Sequence, residues 1–233
     1  MLPYPPTEGM SVTQLLDLFS GAPRLSKIEL APIPTLSDAR AERVVRLPCL
    51  ESLTLHMTWA HSSILLNHLP LLVGAFLHVV FSSRGEKSPL PKSLPKNPKN
   101  LQNLLHVTSA YLYFNGSDVS VRLDGPNGGL TMHGNREHRG TPVISESGIL
   151  RPLDYFTISR LQRLALTAHE FPMVHSETDK YAPQHIFRLT GDLRTLLLNN
   201  RNNLPFILAL NPEQNSQRLV LCPKLENLVI YLR

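Results

Sequence analysis

One phrase recurs along the chain and restricts its fold more than any other feature: a proline-led turn followed by Leu-x-x-Leu-x-Leu. It is spelled Pro23-Arg-Leu25-Ser-Lys-Ile28-Glu-Leu30, then Pro48-Cys-Leu50-Glu-Ser-Leu53-Thr-Leu55, and last Pro223-Lys-Leu225-Glu-Asn-Leu228-Val-Ile230. Looser copies occupy residues 107–114, 161–166 and 193–198. The closing apolar residues of each copy alternate with their neighbours, as in a strand with one buried face. A single unit cannot bury that face alone, so the copies are expected to stack side by side on a shared core.

Strand centres at Ile28, Leu53 and Leu77 stand 25 and 24 residues apart (53−28, 77−53), inside the ~20–29-residue period of leucine-rich repeats. The later centres, Leu164, Leu196 and Leu228, are each 32 residues apart (196−164, 228−196), a looser rhythm. Helices are expected between them. Ser11 and Gln14 form a capping-box start, Leu15, Leu16, Leu18 and Phe19 supply an apolar stripe, and Gly21 is expected to end that helix in the left-handed cap conformation. Residues 61–69, 181–190 and 204–210 read as further helices, the last with Pro205 tolerated in its first turn. A short helical turn is expected from Ser37 through Val44 and Val45, another helix over 152–159, and residues 100–106 are apolar at helical spacing.

Two stretches depart from the rhythm. Val119, Val121 and Leu123 alternate, the turn-rich residues 124–129 follow, and Leu130 and Met132 alternate again, which reads as a hairpin with a longer loop. With a polar tip at 134–140, expected to be mobile, it makes an insertion over 118–140; insertions in solenoids often carry binding. Residues 84–99 interleave Lys87, Lys92, Lys96 and Lys99 with Pro89, Pro91, Pro95 and Pro98. They read either as a solvated loop or as a patch for an acidic partner or nuclear import.

Composition bounds what such a chain does. With 42% hydrophobic and 18% charged residues, its 233 residues are expected to form one globular unit over 1–233. A net charge of +5 without a basic helix does not point to nucleic acid. Residues 1–8 have neither a basic head nor an apolar run, so no export signal is read there. The apolar window 65–81 is interrupted by Asn67, His68, Pro70, Gly74 and His78, so no membrane span is expected. An intracellular location, cytoplasmic or nuclear, follows as the expectation. Cys49 and Cys222 flank the opening prolines of two copies and are expected as small, buried, reduced side chains rather than a disulfide.

No catalytic constellation emerges. His169 and His175 are six residues apart with Pro172 between them, so they cannot share a helical face for zinc. His133 and His138 lack a carboxylate or cysteine pair at ligand spacing, and no serine stands in a Gly-x-Ser-x-Gly elbow. Residues 125–129 precede a strand rather than a helix, which removes a phosphate-binding helix start. The reading is of a non-enzyme with no cofactor, no metal and no catalytic residues.

A surface remains. The residues between the core positions of each strand would line the open side of the sheet: Glu29, Thr54, His56, His78, Tyr111, Tyr113, Ala165, Thr167, Leu197, Asn199, Val229 and Tyr231. A Thr, His and Tyr stripe suits a protein partner, and it equally describes a solvated sheet face.

The stretches 15–25, 47–53, 94–101 and 204–212 resemble the repeat region of fungal F-box/leucine-rich-repeat proteins. That resemblance implies a ubiquitin-ligase adaptor whose F-box docks to the ligase while the repeats hold a target. No F-box-like helices precede Ser11, so ligase docking is not expected of this chain and only target recognition carries over. The repeat-completing asparagine is also absent: three residues past Leu30, Leu55 and Leu166 stand Ile33, Thr58 and His169. The expected fold is α/β, an irregular leucine-rich-repeat solenoid of mostly parallel strands and short helices with an inserted β-hairpin, resembling a fragment of a longer array. An α+β globule centred on the hairpin is the alternative. The expected function is protein binding; a decayed repeat remnant without a partner is the alternative, and a hydrolytic or metal-dependent enzyme a distant one.

Overall fold

The proline-led phrase folds into one turn, used again and again. Five times an amide donates to the carbonyl three residues before it: Leu25 to Ala22 at 3.1 Å, Leu50 to Leu47 at 3.2 Å, Leu161 to Ile158 at 2.9 Å, Leu193 to Thr190 at 3.0 Å and Leu225 to Cys222 at 3.1 Å. The residue just past three of these turns, and Thr108, is then gripped by two amides of the neighbouring segment. The Ser26 carbonyl accepts from the amides of both Glu51 and Ser52, Thr108 from Gln162 and Arg163, Gln162 from Arg194 and Thr195, and Arg194 from Glu226 and Asn227. One carbonyl with two lone pairs thus sets the register before four of the parallel strand pairs begin.

The computed structural model describes residues 10–30, 36–37, 43–83, 94–115, 118–136, 158–168, 182–200, 203–211 and 220–231. Eleven strands are present among them: β1 (Met10–Ser11), β2 (Lys27–Leu30), β3 (Leu36–Ser37), β4 (Ser52–His56), β5 (Phe76–Ser83), β6 (Ser109–Asn115), β7 (Asp118–Gly125), β8 (Gly128–Arg136), β9 (Arg163–Ala168), β10 (Thr195–Asn200) and β11 (Asn227–Ile230). Strands β1 and β3 form a two-residue parallel pair of their own. The other nine make one open sheet in the order β11-β10-β9-β6-β7-β8-β5-β4-β2. All are parallel except β7, which runs against β6 on one side and β8 on the other. The chain is therefore α/β with a mostly parallel sheet and few short helices.

The hairpin is not an appendage beside this sheet; it is part of it. From β5 the chain skips two strand positions to lay down β6, returns through β7 and β8, and sets β8 on β5 in parallel. The loop between β7 and β8 is also tighter than expected. Gly125 pairs with Gly128, leaving only Pro126 and Asn127 at the turn. The expected polar tip begins inside β8, which extends to Arg136; residues 137–140 lie outside the described ones.

Four helices are described: α1 (Val12–Ser20), α2 (Trp59–His68), α3 (Ala182–Leu189) and α4 (Leu204–Leu210). The capping box of α1 is made on both sides, with the Gln14 amide donating to Ser11 Oγ at 3.1 Å and the Ser11 amide to Gln14 Oε1 at 2.8 Å. Gly21 ends α1 in a right-handed conformation, φ −72°, rather than the left-handed one, because its amide donates back to the Asp17 and Phe19 carbonyls and needs no reversal of φ. Val12, Leu15, Leu16 and Phe19 are buried, whereas Leu18, expected in the same stripe, faces out. Thr58 starts α2, its hydroxyl accepting from the His61 amide at 3.3 Å. The helical turn expected from Ser37 to Val45 is absent where described: Leu36 and Ser37 are strand, and residues 43–47 run irregularly with the Val45 amide on the His68 carbonyl. Residues 100–106 hold a short 3-10 turn at Gln102–Leu104 in place of an α-helix, because the Leu71 and Asn100 backbones bond across and pull the chain straight. The loop proposed at 84–99 and the helix proposed at 152–159 fall mostly outside the described residues. No helix among the described residues is long and apolar enough to cross a membrane.

The core lies on one side of the sheet. Leu53, Leu55, Leu77, Val79, Leu112, Val121, Leu130, Met132, Leu164, Leu166, Leu196 and Leu198 are all at most 1% exposed. The period-two reading thus holds even on the inserted strands. Cys222 is buried, its thiol pushed up to about 11 by burial despite a hydrogen bond with Thr190. Cys49, expected to be buried as well, is exposed, since it sits in the Pro48 turn outside the sheet. Both are free thiols.

Asn103 closes the joint where the hairpin meets β5. It is 1% exposed, and its Nδ2 donates to the carbonyls of Ala75 and Gly129, each at 3.0 Å. Beside it Gly128 has φ +121°, and a Cβ there would strike the Ala75 carbonyl oxygen. A Cβ on Gly129 would meet the Phe76 ring at 2.9 Å, so that ring covers the glycine from the open side. Asn103→Ala removes both buried bonds and is expected to cost about 2–3 kcal/mol of stability. Gly128→Ala adds strain to a clash and is expected to cost at least about 2 kcal/mol. Urea denaturation checks both against Gln102→Ala, an exposed neighbour expected to lie within about 0.5 kcal/mol of wild type. Three indistinguishable midpoints would remove the joint from the account of the fold.

Candidate partner-binding face

Because core residues hold one phase of every strand, the other phase is free of the core, and the register shows how its members line up. One row crosses all nine strands: Glu29, Thr54, His78, Thr131, Arg122, Tyr111, Ala165, Leu197 and Val229, each directly opposite the next. A second row runs His56, Val80, His133, Ser120, Tyr113, Thr167 and Asn199. Tyr231 follows β11, its amide donating to the Leu198 carbonyl at 2.9 Å.

Every residue expected on the open face therefore stands on it, in two adjacent rows. They do not converge. Glu29 and Val229 are eight strand spacings apart, about 38 Å along the sheet, so the residues define an extended face and not a pocket. Reading the sequence missed Thr131, Arg122, His133, Ser120 and Val80. The signal was present for four of them: they occupy the phase between Val119, Val121, Leu123, Leu130 and Met132 on the inserted strands. Assigning those strands to a hairpin beside the sheet hid their place in its centre.

The face changes character at that centre. Toward β11 it is aromatic and apolar, with Tyr111 38%, Val229 38% and Tyr231 50% exposed. Asn199, with a buried Oδ1 that has no hydrogen-bond partner, interrupts this half. Toward β2 it is rich in imidazole: His56, His78 and His133 sit on the consecutive strands β4, β5 and β8, with Phe76, 55% exposed, and Val80 as the apolar members of β5 on the same face. The boundary is Arg122. Its guanidinium lies 6.0 Å from the centre of the Tyr111 ring, and its Nε donates to both carboxylate oxygens of Asp124 at 2.8 and 3.2 Å.

Partial burial lowers the pKa of His78, and the neighbouring imidazoles of His56 and His133 push it the same way. The three rings are thus electrostatically in touch. Among the described residues no three His, Cys, Asp or Glu side chains are arranged to hold a metal ion. A shallow depression lined by Gln14, Asp17, Leu18, Gly21 and Ala22 lies on α1, away from both rows. No family model, no curated protein and no solved structure matches the chain.

The depressed His78 has a consequence for stability. The unfolded chain protonates His78 near pH 6.5 and the folded chain only at lower pH, so between those values the unfolded state binds more protons. Its contribution to stability is present above pH 6.5 and is lost as pH falls. His78→Gln should therefore lose less stability than wild type between pH 7.5 and 5.5, measured by urea denaturation at each pH. An equal loss in both proteins would show that His78 is not held neutral by the fold.

Proposed function

We propose that the open sheet face is a protein-binding surface and that the chain is a leucine-rich-repeat solenoid whose face holds a target. The observation that carries this reading is the unbroken nine-residue row, with Tyr111, Val229 and Tyr231 left substantially exposed at one end. Partner surfaces are enriched in tyrosine, and Tyr111, Tyr113 and Tyr231 all stand at open positions on this side. An extended face about 38 Å long suits a polypeptide better than a small molecule, which favours an enclosed cleft. Five copies of one turn and four copies of the shared carbonyl support the repeat reading. The resemblance of residues 15–25, 47–53, 94–101 and 204–212 to fungal F-box/leucine-rich-repeat proteins points to target recognition for a ubiquitin ligase, with the ligase-docking part not contributed by these residues.

The test compares captured partners. Wild-type protein, the triple variant Tyr111→Ala/Tyr113→Ala/Tyr231→Ala and a control variant on the opposite side, Lys99→Ala, are used as baits. Central tyrosines are each worth on the order of 2 kcal/mol in an interface, so a true target is expected to be lost from the triple variant and kept by the control. The same partner set on all three baits would remove the aromatic half of the face from the reading.

A further inference from the structure

The imidazole half of the face has a chemistry that the aromatic half does not explain. His56, His78 and His133 come from three neighbouring strands, β4, β5 and β8. His56 and His133 both stand opposite Val80, one on each side, and His78 is two residues before Val80 on the strand between them. The three therefore zigzag across adjacent strands, near enough for their charges to act on one another.

We propose that His56, His78 and His133 form a proton-gated site for an acidic peptide segment of a partner protein, laid across the β2 side of the open face. The proposal rests on the reading of this face as a protein-binding surface. Its argument is charge. The other described ionisable side chains on this half are Lys27 and Glu29 on β2 and Asp118, Arg122 and Asp124 on β7. Lys27 stands 4.0 Å from Glu29, and Arg122 holds Asp124, so these two carboxylates are already answered. Asp118 adds one negative charge diagonal to His133 and has a buried Oδ1 without a hydrogen-bond partner.

With the histidines neutral, two cations against three carboxylates give this half a formal charge of −1 (2 − 3). Each imidazole that takes up a proton adds one positive charge, so two suffice to make it +1 (4 − 3) and three make it +2 (5 − 3). Protonation of any two of the rings thus reverses the sign, while glutamate on a bound segment, with a pKa of about 4.3, stays ionised at pH 5.5. Each protonated ring also gains a donor that a carboxylate can accept.

The probe is a fluorescein-labelled dodecapeptide of alternating Glu and Leu, followed by fluorescence anisotropy at pH 5.5 and 7.5, with a Gln-for-Glu peptide as control. Wild type is expected to bind the Glu peptide about tenfold more tightly at pH 5.5, as two or three charge pairs at the surface together allow. His56→Gln/His78→Gln/His133→Gln is expected to bind without that pH dependence, and so is wild type with the Gln peptide. Circular dichroism at both pH values verifies folding; should the triple variant not fold, His56→Gln and His133→Gln singly are each expected to lose part of the gain. Undiminished pH dependence in the histidine variants, an equal gain with the Gln peptide, or no binding by wild type at pH 5.5 overturns the site. The tyrosine triple variant separates this from the parent reading. If it keeps both the affinity and the pH dependence of wild type, the histidine site stands and the aromatic half does not take part.

Discussion

The parallel ladder of β8 on β5 is the joint on which the whole sheet depends. It runs for eight residue pairs, from Phe76 opposite Gly129 to Ser83 opposite Arg136, and it is the only described link between the β2-β4-β5 side and the β6-β9-β10-β11 side through the hairpin. A slip of one residue there would turn Leu130 and Met132 outward and bring Thr131 and His133 into the core, a change no compact arrangement tolerates. What prevents the slip lies at the foot of the ladder. Asn103 ties the carbonyls of Ala75 and Gly129 together, and the Gly74 amide donates to the Asn127 carbonyl at 2.7 Å. The segment that carries Asn103 is held in turn: Asn100 Nδ2 donates to the Leu66 and Asn67 carbonyls at the end of α2, while the Leu71 and Asn100–Gln102 backbones exchange two bonds. Helix end, crossover and hairpin foot are a single hydrogen-bonded unit, and each satisfies polar groups the others would leave buried.

This explains what was legible in the sequence and what was not. The Leu-x-x-Leu-x-Leu phrase marks strand, phase and core side because all three are local: alternation at Leu53 and Leu55, or at Leu196 and Leu198, is complete within five residues. Strand order is not local. Nothing between Ser83 and Ser109 states that the chain will pass over two empty positions and fill them on the way back, so the inserted strands were read as standing beside the sheet. Asn103 escaped notice for the same reason. Its partners are 28 and 26 positions away, and within its own stretch it reads as a polar residue in an apolar helix. The open-face residues fared better, since they follow from phase alone, and only those on the displaced strands were missed.

The joints between neighbouring parallel strands show a second regularity that the sequence does not spell. At the β10-β11 junction, the doubled carbonyl acceptor at Arg194 is joined by two ion pairs: Lys224 to Asp192 at 2.6 Å and Arg194 to Glu226 at 3.2 Å. Lys224 pulls the Asp192 carboxyl below its usual range, but both side chains are open to solvent, so the pairs orient the rim and add little to stability. Stacking here is driven by apolar burial and fixed in register by backbone bonds. The edge strand is where this runs out: Leu228, on the core phase of β11, is 44% exposed, and Val229 on the open phase is 38% exposed.

A distinction follows between residues the fold requires and residues it merely carries. Asn103, Gly128 and the leucines of the core phase are dictated by geometry: change them and a bond, a clearance or a contact is lost. Tyr111, Tyr231, His56 and His133 answer to no such demand. They occupy open positions where most substitutions shift stability by no more than about 0.5 kcal/mol. Arg122 sits between the two groups, stacked on Tyr111 and paired with Asp124, and so fixes the boundary between the aromatic and imidazole halves without being needed by the core. The open face thus carries its chemistry along one continuous row, in positions that the core does not specify.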